Sequence, residues 1–412
     1  MPSVPNRTGP WTPRVTAALA VLAAAAFIYV TAEIMPVGAL PAIARDLHVS
    51  EAMVGTLLAT YALVAALATM PLVRWTADWP RRRTLLCTLA CLSVSQLISA
   101  LAPTFAVLAV GRVLCAVTHG LMWSVIAPIG VRLVPPSHAG RATMAVYVGT
   151  GLALVVGSPL TAAMSELWGW RLAVGAIAAV SLAVLAAARL ALPFMAAFPR
   201  TAPANAAQAR RIGHRHNSPL VILSALTLVG VTGHFISYTF IVVIIRDVVG
   251  VRGPHLAWLL AGYGIAGLTA MAVLARPGDR RPKGAVMGCL AGTSVAFVVL
   301  ATLGWAGQHT AAAVAAGAAA VVLWGATVTA MPPMLQAAAM RHAPDDPDGA
   351  SGLYVAAFQV GIMAGSLAGG LLYQRAGLPV MLAASAALML SALVSVVASR
   401  GLFALAPATS EK

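Results

Sequence analysis

Charge is what this 412-residue sequence has least of: Asp, Glu, Lys and Arg together make up 9% of it, and only 11 residues are acidic. A water-soluble domain carries about 25% charged residues, so that class is excluded. Lysine is nearly absent, with Lys283 and Lys412 standing against 24 arginines, and with so much alanine this suggests a GC-rich bacterial coding sequence. The four cysteines, Cys87, Cys91, Cys115 and Cys289, all fall in apolar runs, where a thiol behaves as a small apolar side chain. They have neither a disulfide framework nor zinc-ligand spacing. GxxxxGK[ST], HExxH and GxSxG are missing too, and no dense acidic group is present. Those absences argue against nucleotide-driven work within this chain and against a membrane enzyme, and they imply no cofactor and no metal.

What the sequence has instead is grease. It is 60% hydrophobic, with a mean hydropathy of +0.89. Apolar stretches of about 20 residues, the length of a membrane-crossing helix, recur from end to end. They are continuous rather than alternating, so the expected spans are helices and not barrel strands. Twelve are read, at 15–40, 51–73, 84–102, 104–131, 142–165, 171–195, 218–245, 256–275, 284–305, 310–335, 350–374 and 378–399. The first is too long, and too interrupted by Glu33 and Pro36, for a cleaved leader, so it is read as retained.

The formal net charge of +15 points first to nucleic acid, but its distribution points elsewhere. With the N-terminus placed inside, 19 of the 26 basic residues fall in cytoplasmic segments, five in outer segments, and Arg112 and Arg189 within spans. That bias is topological. It predicts cytoplasmic termini and contact with membrane lipid, with no role for nucleic acid.

The longest polar stretch, AAFPRTAPANAAQARRIGHRHN at 196–217, divides the spans six and six. The expected organisation is a six-helix bundle at 1–195, a cytoplasmic central loop at 196–217 and a second bundle at 218–412. PRRR at 80–83 and RPK at 281–283 recur about 202 residues apart, and VPPSHAGRA at 134–142 recurs loosely as APDDPDGAS at 343–351. Weak symmetry of this kind marks transporters built from repeats, whose substrate sites lie near the midplane. Gly149, Ala153 and Gly157 form a smooth stripe, as do Gly361, Gly365 and Gly369. Such stripes serve close static packing or an interface that slides.

Several motifs resemble those of the major facilitator superfamily, and within it the twelve-span drug:proton antiporters. VRWTADWPRRR at 73–83 is similar to the family's GxLaDrxGRRR loop, with Pro80 for the usual glycine and Asp78 one residue late; ARPGDRRPK at 275–283 is its second copy. GTGLALVVGSPL at 149–160 is similar to the glycine-proline motif of exporters. AEIMPVGALPAIARDL together with RVLCAVTHGLMWSV resembles the bacterial sugar-efflux (arabinose efflux permease) and chloramphenicol-efflux branch. The resemblance covers essentially the whole chain. It implies an all-α polytopic protein of the bacterial inner membrane, a monomer with two pseudo-symmetric six-helix bundles. It also implies that Asp78, Arg81, Arg82, Asp279 and Arg280, with Gly149, Gly157, Pro159, Gly361 and Gly365, govern conformational change.

Glu33, in FIYVTAEIMPVGALP at 27–41, is the one acid left inside a predicted span once the others are sorted into loops, span ends and the tail. A carboxylate near the membrane centre is costly unless protonated, paired or facing water, and Pro36 opens the helix beside it. Either Glu33 carries protons and substrate, or it lies near the outer boundary and is hydrated there. In the fourth span Arg112, Ala116, His119 and Trp123 share one helical face. The resemblance associates the arginine and a first-span acid with proton coupling, so Glu33, Arg112 and His119 are the coupling candidates. Arg112 and His119 are equally suited to structural hydrogen bonds between helices. Glu33, His119, Trp123, His234, Tyr238, Tyr354, Phe358 and Gln359, with Phe235, are candidate pocket lining, although aromatic residues in spans also serve as packing. His214, Arg215 and His216 read as solvated linker, and Asp345, Asp346 and Asp348 as turn formers. The expected activity is export of small, mostly apolar, drug-like molecules in exchange for protons. A sugar or metabolite efflux permease and a proton-independent facilitator are the alternatives.

Overall fold

A computed structural model describes residues 11–49, 51–195, 217–252, 254–308, 310–399 and 401–403. In chain order its helices are α1 (Pro13–Gly38), α2 (Leu40–Asp46), α3 (Glu51–Trp75), α4 (Arg81–Ala100), α5 (Phe105–Arg132), α6 (Ala139–Leu152), α7 (Ser158–Trp168) and α8 (Trp170–Ala191). There follow α9 (Ser218–Tyr238), α10 (Ile241–Ile244), α11 (Pro254–Arg280), α12 (Pro282–Ala306), α13 (Ala311–Arg341) and α14 (Pro347–Ala398). No strand occurs among the described residues, and ten helices there are long and apolar enough to cross a membrane. The protein is therefore an all-helical, multi-span membrane protein.

The helices begin where short polar side chains stand. Thr12, Thr104, Asn217, Thr310 and Asp346 each accept a hydrogen bond from a main-chain N–H three residues on, satisfying a donor the first turn leaves free. At the far end of α14, Lys283 donates to the carbonyls of Val397 (3.1 Å) and Ser399 (2.8 Å), a cation where the helix dipole is negative.

The predicted spans differ from these helices mainly at bends. The fifth comprises α6 and α7 joined by a π-helical turn at Ala153–Gly157. The eighth and tenth run on to Arg280 and Arg341, through Pro277 and through Pro332 and Pro333. The eleventh and twelfth form one continuous element broken at Gly377, whose φ of 80° a residue with a side chain rarely adopts. Gly169, with φ 88°, makes the same break between α7 and α8, about 208 residues earlier.

The two glycine stripes face neighbours close in the fold. A Cβ on Gly149 would strike the main chain of α1 at Ala23, and one on Gly157 would strike Thr31. On Gly365 it would lie 2.6 Å from the Thr232 carbonyl oxygen of α9. Stripe and neighbour are thus α6–α7 on α1 and α14 on α9. The first eight helices pack chiefly among themselves, as do the last six; α3 and α5 meet α14, and α6 meets α11 and α13.

Candidate functional site

The site starts from a gap in α1. Proline has no N–H, so Pro36 leaves the Ala32 carbonyl without its helical donor. Arg112 of α5 supplies one: its Nη1 donates to Ala32 O at 2.5 Å and its Nη2 to Glu33 O at 2.8 Å. The guanidinium also lies over the Tyr61 ring of α3, 4.8 Å from its centre. An arginine 4% exposed is thereby held by two carbonyls and a ring face.

Since Arg112 engages the main chain of Glu33, the Glu33 carboxylate turns to another partner. His119 Nε2 is 3.9 Å from Glu33 Oε2, longer than a direct hydrogen bond. The other ring nitrogen, Nδ1, is 2.8 Å from the Tyr61 hydroxyl. When that hydroxyl donates, the imidazole hydrogen sits on Nε2, directed at Glu33. The Glu33 side chain is 16% exposed against 3% for His119, so the carboxylate is the wetter end of the chain of groups. Glu33 is also near enough to Tyr238 of α9 to interact with its hydroxyl electrostatically.

His119 continues into an aromatic strip. Its ring centre is 6.3 Å from Trp123, Trp123 is 5.0 Å from Tyr147 of α6, and Tyr147 lies beside Tyr354 of α14, whose ring is tilted against Phe358 at 6.0 Å. Tyr354 donates to the Pro332 carbonyl at 3.1 Å, and Gln359 is buried with no hydrogen bond to its Oε1 among the described residues. On the facing side, His234 and Tyr238 are 4.9 Å apart, with Phe235 4.8 Å from His234. Trp324 Nε1 of α13 donates to His234 Nδ1 at 3.0 Å.

Tyr61, Tyr147, Trp324 and Gln336 were not singled out by the sequence reading. Gln336 carries the clearest signal it passed over, a polar side chain one residue past the predicted tenth span that the longer α13 takes in. Wholly buried, it accepts from the Tyr147 hydroxyl (2.9 Å) and donates to the Trp123 carbonyl (3.1 Å) and Ser351 Oγ (2.7 Å).

The conformational residues sort differently from expectation. Arg81 is buried and donates to the carbonyls of Thr76 and Ala77 at 3.1 Å each, and its guanidinium pairs with Asp348. Asp348 is therefore no mere turn former: in the first turn of α14 it is 2% exposed, brought against Arg81 where α3 meets α14. Asp346 does form the turn, accepting from Gly349 N at 3.0 Å. Asp78 is exposed on its loop, and Arg82 donates to the Arg189 carbonyl. Asp279 accepts from Arg141 Nε at 2.8 Å and from the Arg141 main chain at 3.2 Å, while Arg280 is exposed. The side chain of Pro159 and the triplet His214, Arg215 and His216 lie outside the described residues.

Comparison with known proteins agrees with this architecture. The chain is 64% identical over 396 residues to a chloramphenicol efflux pump of Mycobacterium tuberculosis strain H37Rv, covering 96% of this chain and 95% of that one, and equally to the chloramphenicol efflux pump of strain CDC 1551. Its fold is similar to that of the human organic anion transporter TETRAN (TM-score 0.76, 14% identity, 94% of this chain and 100% of the other). It is also similar to a major facilitator superfamily transporter crystallised in the outward conformation (TM-score 0.70, 14% identity, 92% and 97%). The sequence profile described as Major Facilitator Superfamily matches residues 22–349 and again 235–411. The chain belongs to the major facilitator superfamily and is a membrane transporter, not an enzyme.

Proposed function

We propose that the chain exports chloramphenicol-type small molecules in exchange for protons, by alternating access, across a bacterial inner membrane. The observation that carries the coupling is the position of Glu33: a partly wetted carboxylate deep in the helix assembly, facing His119. The 64% identity of the chain to two pumps named for chloramphenicol efflux supports the cargo.

In this reading the spans number twelve. Dividing α14 at Gly377 and adding α3 to the ten long apolar helices reaches that count. The first six spans form one bundle and the last six another, joined by residues 196–217, and both termini are cytoplasmic. Gly157 and Gly365, like Gly169 and Gly377, stand about 208 residues apart and support the internal repeat.

The ion pairs Arg81–Asp348 and Arg141–Asp279 and the hydrogen-bonded group around Gln336 then lie on the cytoplasmic side and close it, which corresponds to an outward-facing state. A proton arriving from outside meets Glu33 first. Neutralising the carboxylate weakens its attraction for His119 and for a polar or cationic group of the cargo, and favours outward release. Arg112 meanwhile holds the α1 main chain in place, so the charge changes on a fixed scaffold. His119 and Tyr61 form the inner branch of the path, and Trp123, Tyr354, Phe358, His234 and Tyr238 supply the walls. The transporter works as a monomer.

The test is uptake of labelled chloramphenicol into everted membrane vesicles with and without an imposed outward-directed proton gradient, the lumen being acid. Uptake driven by the gradient and lost in Glu33→Gln is the expected result. Gradient-driven uptake that survives Glu33→Gln would remove Glu33 from the path, and flux indifferent to the gradient would remove antiport itself.

A further inference from the structure

Between α11, α12 and α13 an open groove of about 440 Å³ runs along the outside of the helices. Arg281 forms one end, in the turn joining α11 to α12, and Leu274, Pro277, Gly284, Gly288 and Thr327 form the walls. Leu274, Pro277 and Arg281 follow the i, i+3, i+7 pattern that places residues on one helical face. Gly284 and Gly288 are one turn apart and exposed, and a Cβ added at either would meet no atom within 4 Å. These two glycines differ from Gly149 and Gly365, whose missing side chains admit a neighbouring helix; here nothing of the chain fills the space.

The charges around the groove are unequally committed. Asp279 pairs with Arg141, and Lys283 is occupied by the carbonyls ending α14. The Arg281 guanidinium is exposed and has no hydrogen bond or ion pair among the described residues, and Arg280 beside it is exposed too. From Arg281 to Cys289 the chain rises about 12 Å at 1.5 Å per residue, close to half of a hydrocarbon core about 30 Å thick. A basic end and an apolar channel one leaflet deep match one kind of molecule.

We propose that this groove binds an anionic phospholipid, its phosphodiester on Arg281 with Arg280 alongside, and one acyl chain lying over Gly284 and Gly288. Basic pockets between membrane helices attract anionic headgroups. A zwitterionic lipid offers the same phosphate but carries its own cation, so it gains less from Arg281. The glycines give the chain its bed, and a larger side chain there would compete for the same volume.

The experiment is native mass spectrometry of the full chain in detergent, titrated with phosphatidylglycerol, phosphatidylcholine or inorganic phosphate. Phosphatidylglycerol adducts are expected to exceed phosphatidylcholine adducts at least fivefold. Arg281→Gln and Gly288→Leu should each reduce them at least threefold, whereas Arg74→Gln, an exposed arginine at the end of α3, leaves them unchanged. Gly288→Ala replaces Gly288→Leu if the larger residue prevents a monodisperse preparation, with a smaller loss expected in the same direction. Equal adducts with both lipids, no effect of either groove variant, or an equal loss in Arg74→Gln would overturn the proposal. Displacement of phosphatidylglycerol by inorganic phosphate at equal concentration would also overturn it, by assigning the site to a headgroup without a chain.

Discussion

Arg112 fills the hydrogen-bonding gap that Pro36 makes in α1: the carbonyl of Ala32, four residues before the proline, accepts from Arg112 Nη1. The two residues should therefore be energetically coupled although their side chains do different things. Arg112→Ala alone leaves the Ala32 carbonyl unpaired and should lower stability by about 1–3 kcal/mol where water does not reach it. In a Pro36→Ala background the helix supplies its own donor to Ala32, and the same substitution should cost less. A double-mutant cycle read by thermal unfolding in detergent should show a coupling of about 1 kcal/mol or more; additive losses would separate the two residues.

Glu33→Asp keeps the carboxylate and withdraws it by one methylene from a His119 contact already 3.9 Å long. Proton-driven uptake should fall severalfold in Glu33→Asp and vanish in Glu33→Gln, with both variants as thermostable as the parent. His119→Gln, which retains a donor but cannot take a second proton, should fall between them. Uptake into everted vesicles at several luminal pH values distinguishes the three.

Removing one charge of the Arg81–Asp348 pair leaves the other buried alone. Asp348→Asn should cost about 3–5 kcal/mol and loosen the contact of α3 with α14. Replacing both residues with apolar ones of similar size should recover most of that loss in unfolding temperature while changing transport, because a pair that can open has become a contact that need not.

Where a helix main chain occupies the space, a glycine tolerates no side chain. Gly149→Val and Gly365→Val should each reduce the yield of folded protein sharply, by steric conflict with Ala23 of α1 and Thr232 of α9. Gly284→Ala and Gly175→Ala, with nothing within 4 Å, should be neutral or mildly stabilising in the same expression assay.

At the opposite end from Asp348, Asp46 accepts from Trp170 Nε1 at 3.1 Å and pairs with Arg171, which also donates to Ala102 O at 2.8 Å. Desolvation pushes the Asp46 carboxyl up, but the hydrogen bonds from Arg171 and Trp170 and the charge of Arg171 outweigh it and hold the group below its ordinary value. A carboxyl lowered in the folded state contributes stability above its unfolded pKa of about 3.9 and loses it as pH falls through the folded value. The pair is exposed, so the contribution is small. Asp46→Asn should lower the unfolding temperature slightly at pH 7, and the difference should close below pH 4.

The spans were legible because apolar runs of bilayer length have few other uses, and the neighbourhood of Glu33 and Arg112 drew notice because a single acid, and an arginine far from the span ends, stood in the wrong solvent. Asp348 was misread because its neighbourhood, APDDPDGAS, looks like a turn and in part is one. Only the approach of α3 to α14 buries the third aspartate. Tyr61 and Gln336 stayed hidden for a related reason: a tyrosine or glutamine in a span fits many environments, and its partner lies about 58 or 189 residues away. Repeating residues told which helices correspond, but not that each glycine stripe rests on its own near neighbour instead of facing the other set of helices.

The facing walls around Glu33 are unlike. The charged side chains Glu33 and Arg112 stand with His119 on α1 and α5, whereas His234, Tyr238, Tyr263, Phe297 and Trp324 form a ring cluster on α9, α11, α12 and α13. Under the proposed function, a passage with such sides would read the dipole of its cargo: an amphiphile would align its polar end with one side and its flat apolar end with the other, and molecules polar on every side, or on none, would be poorly oriented.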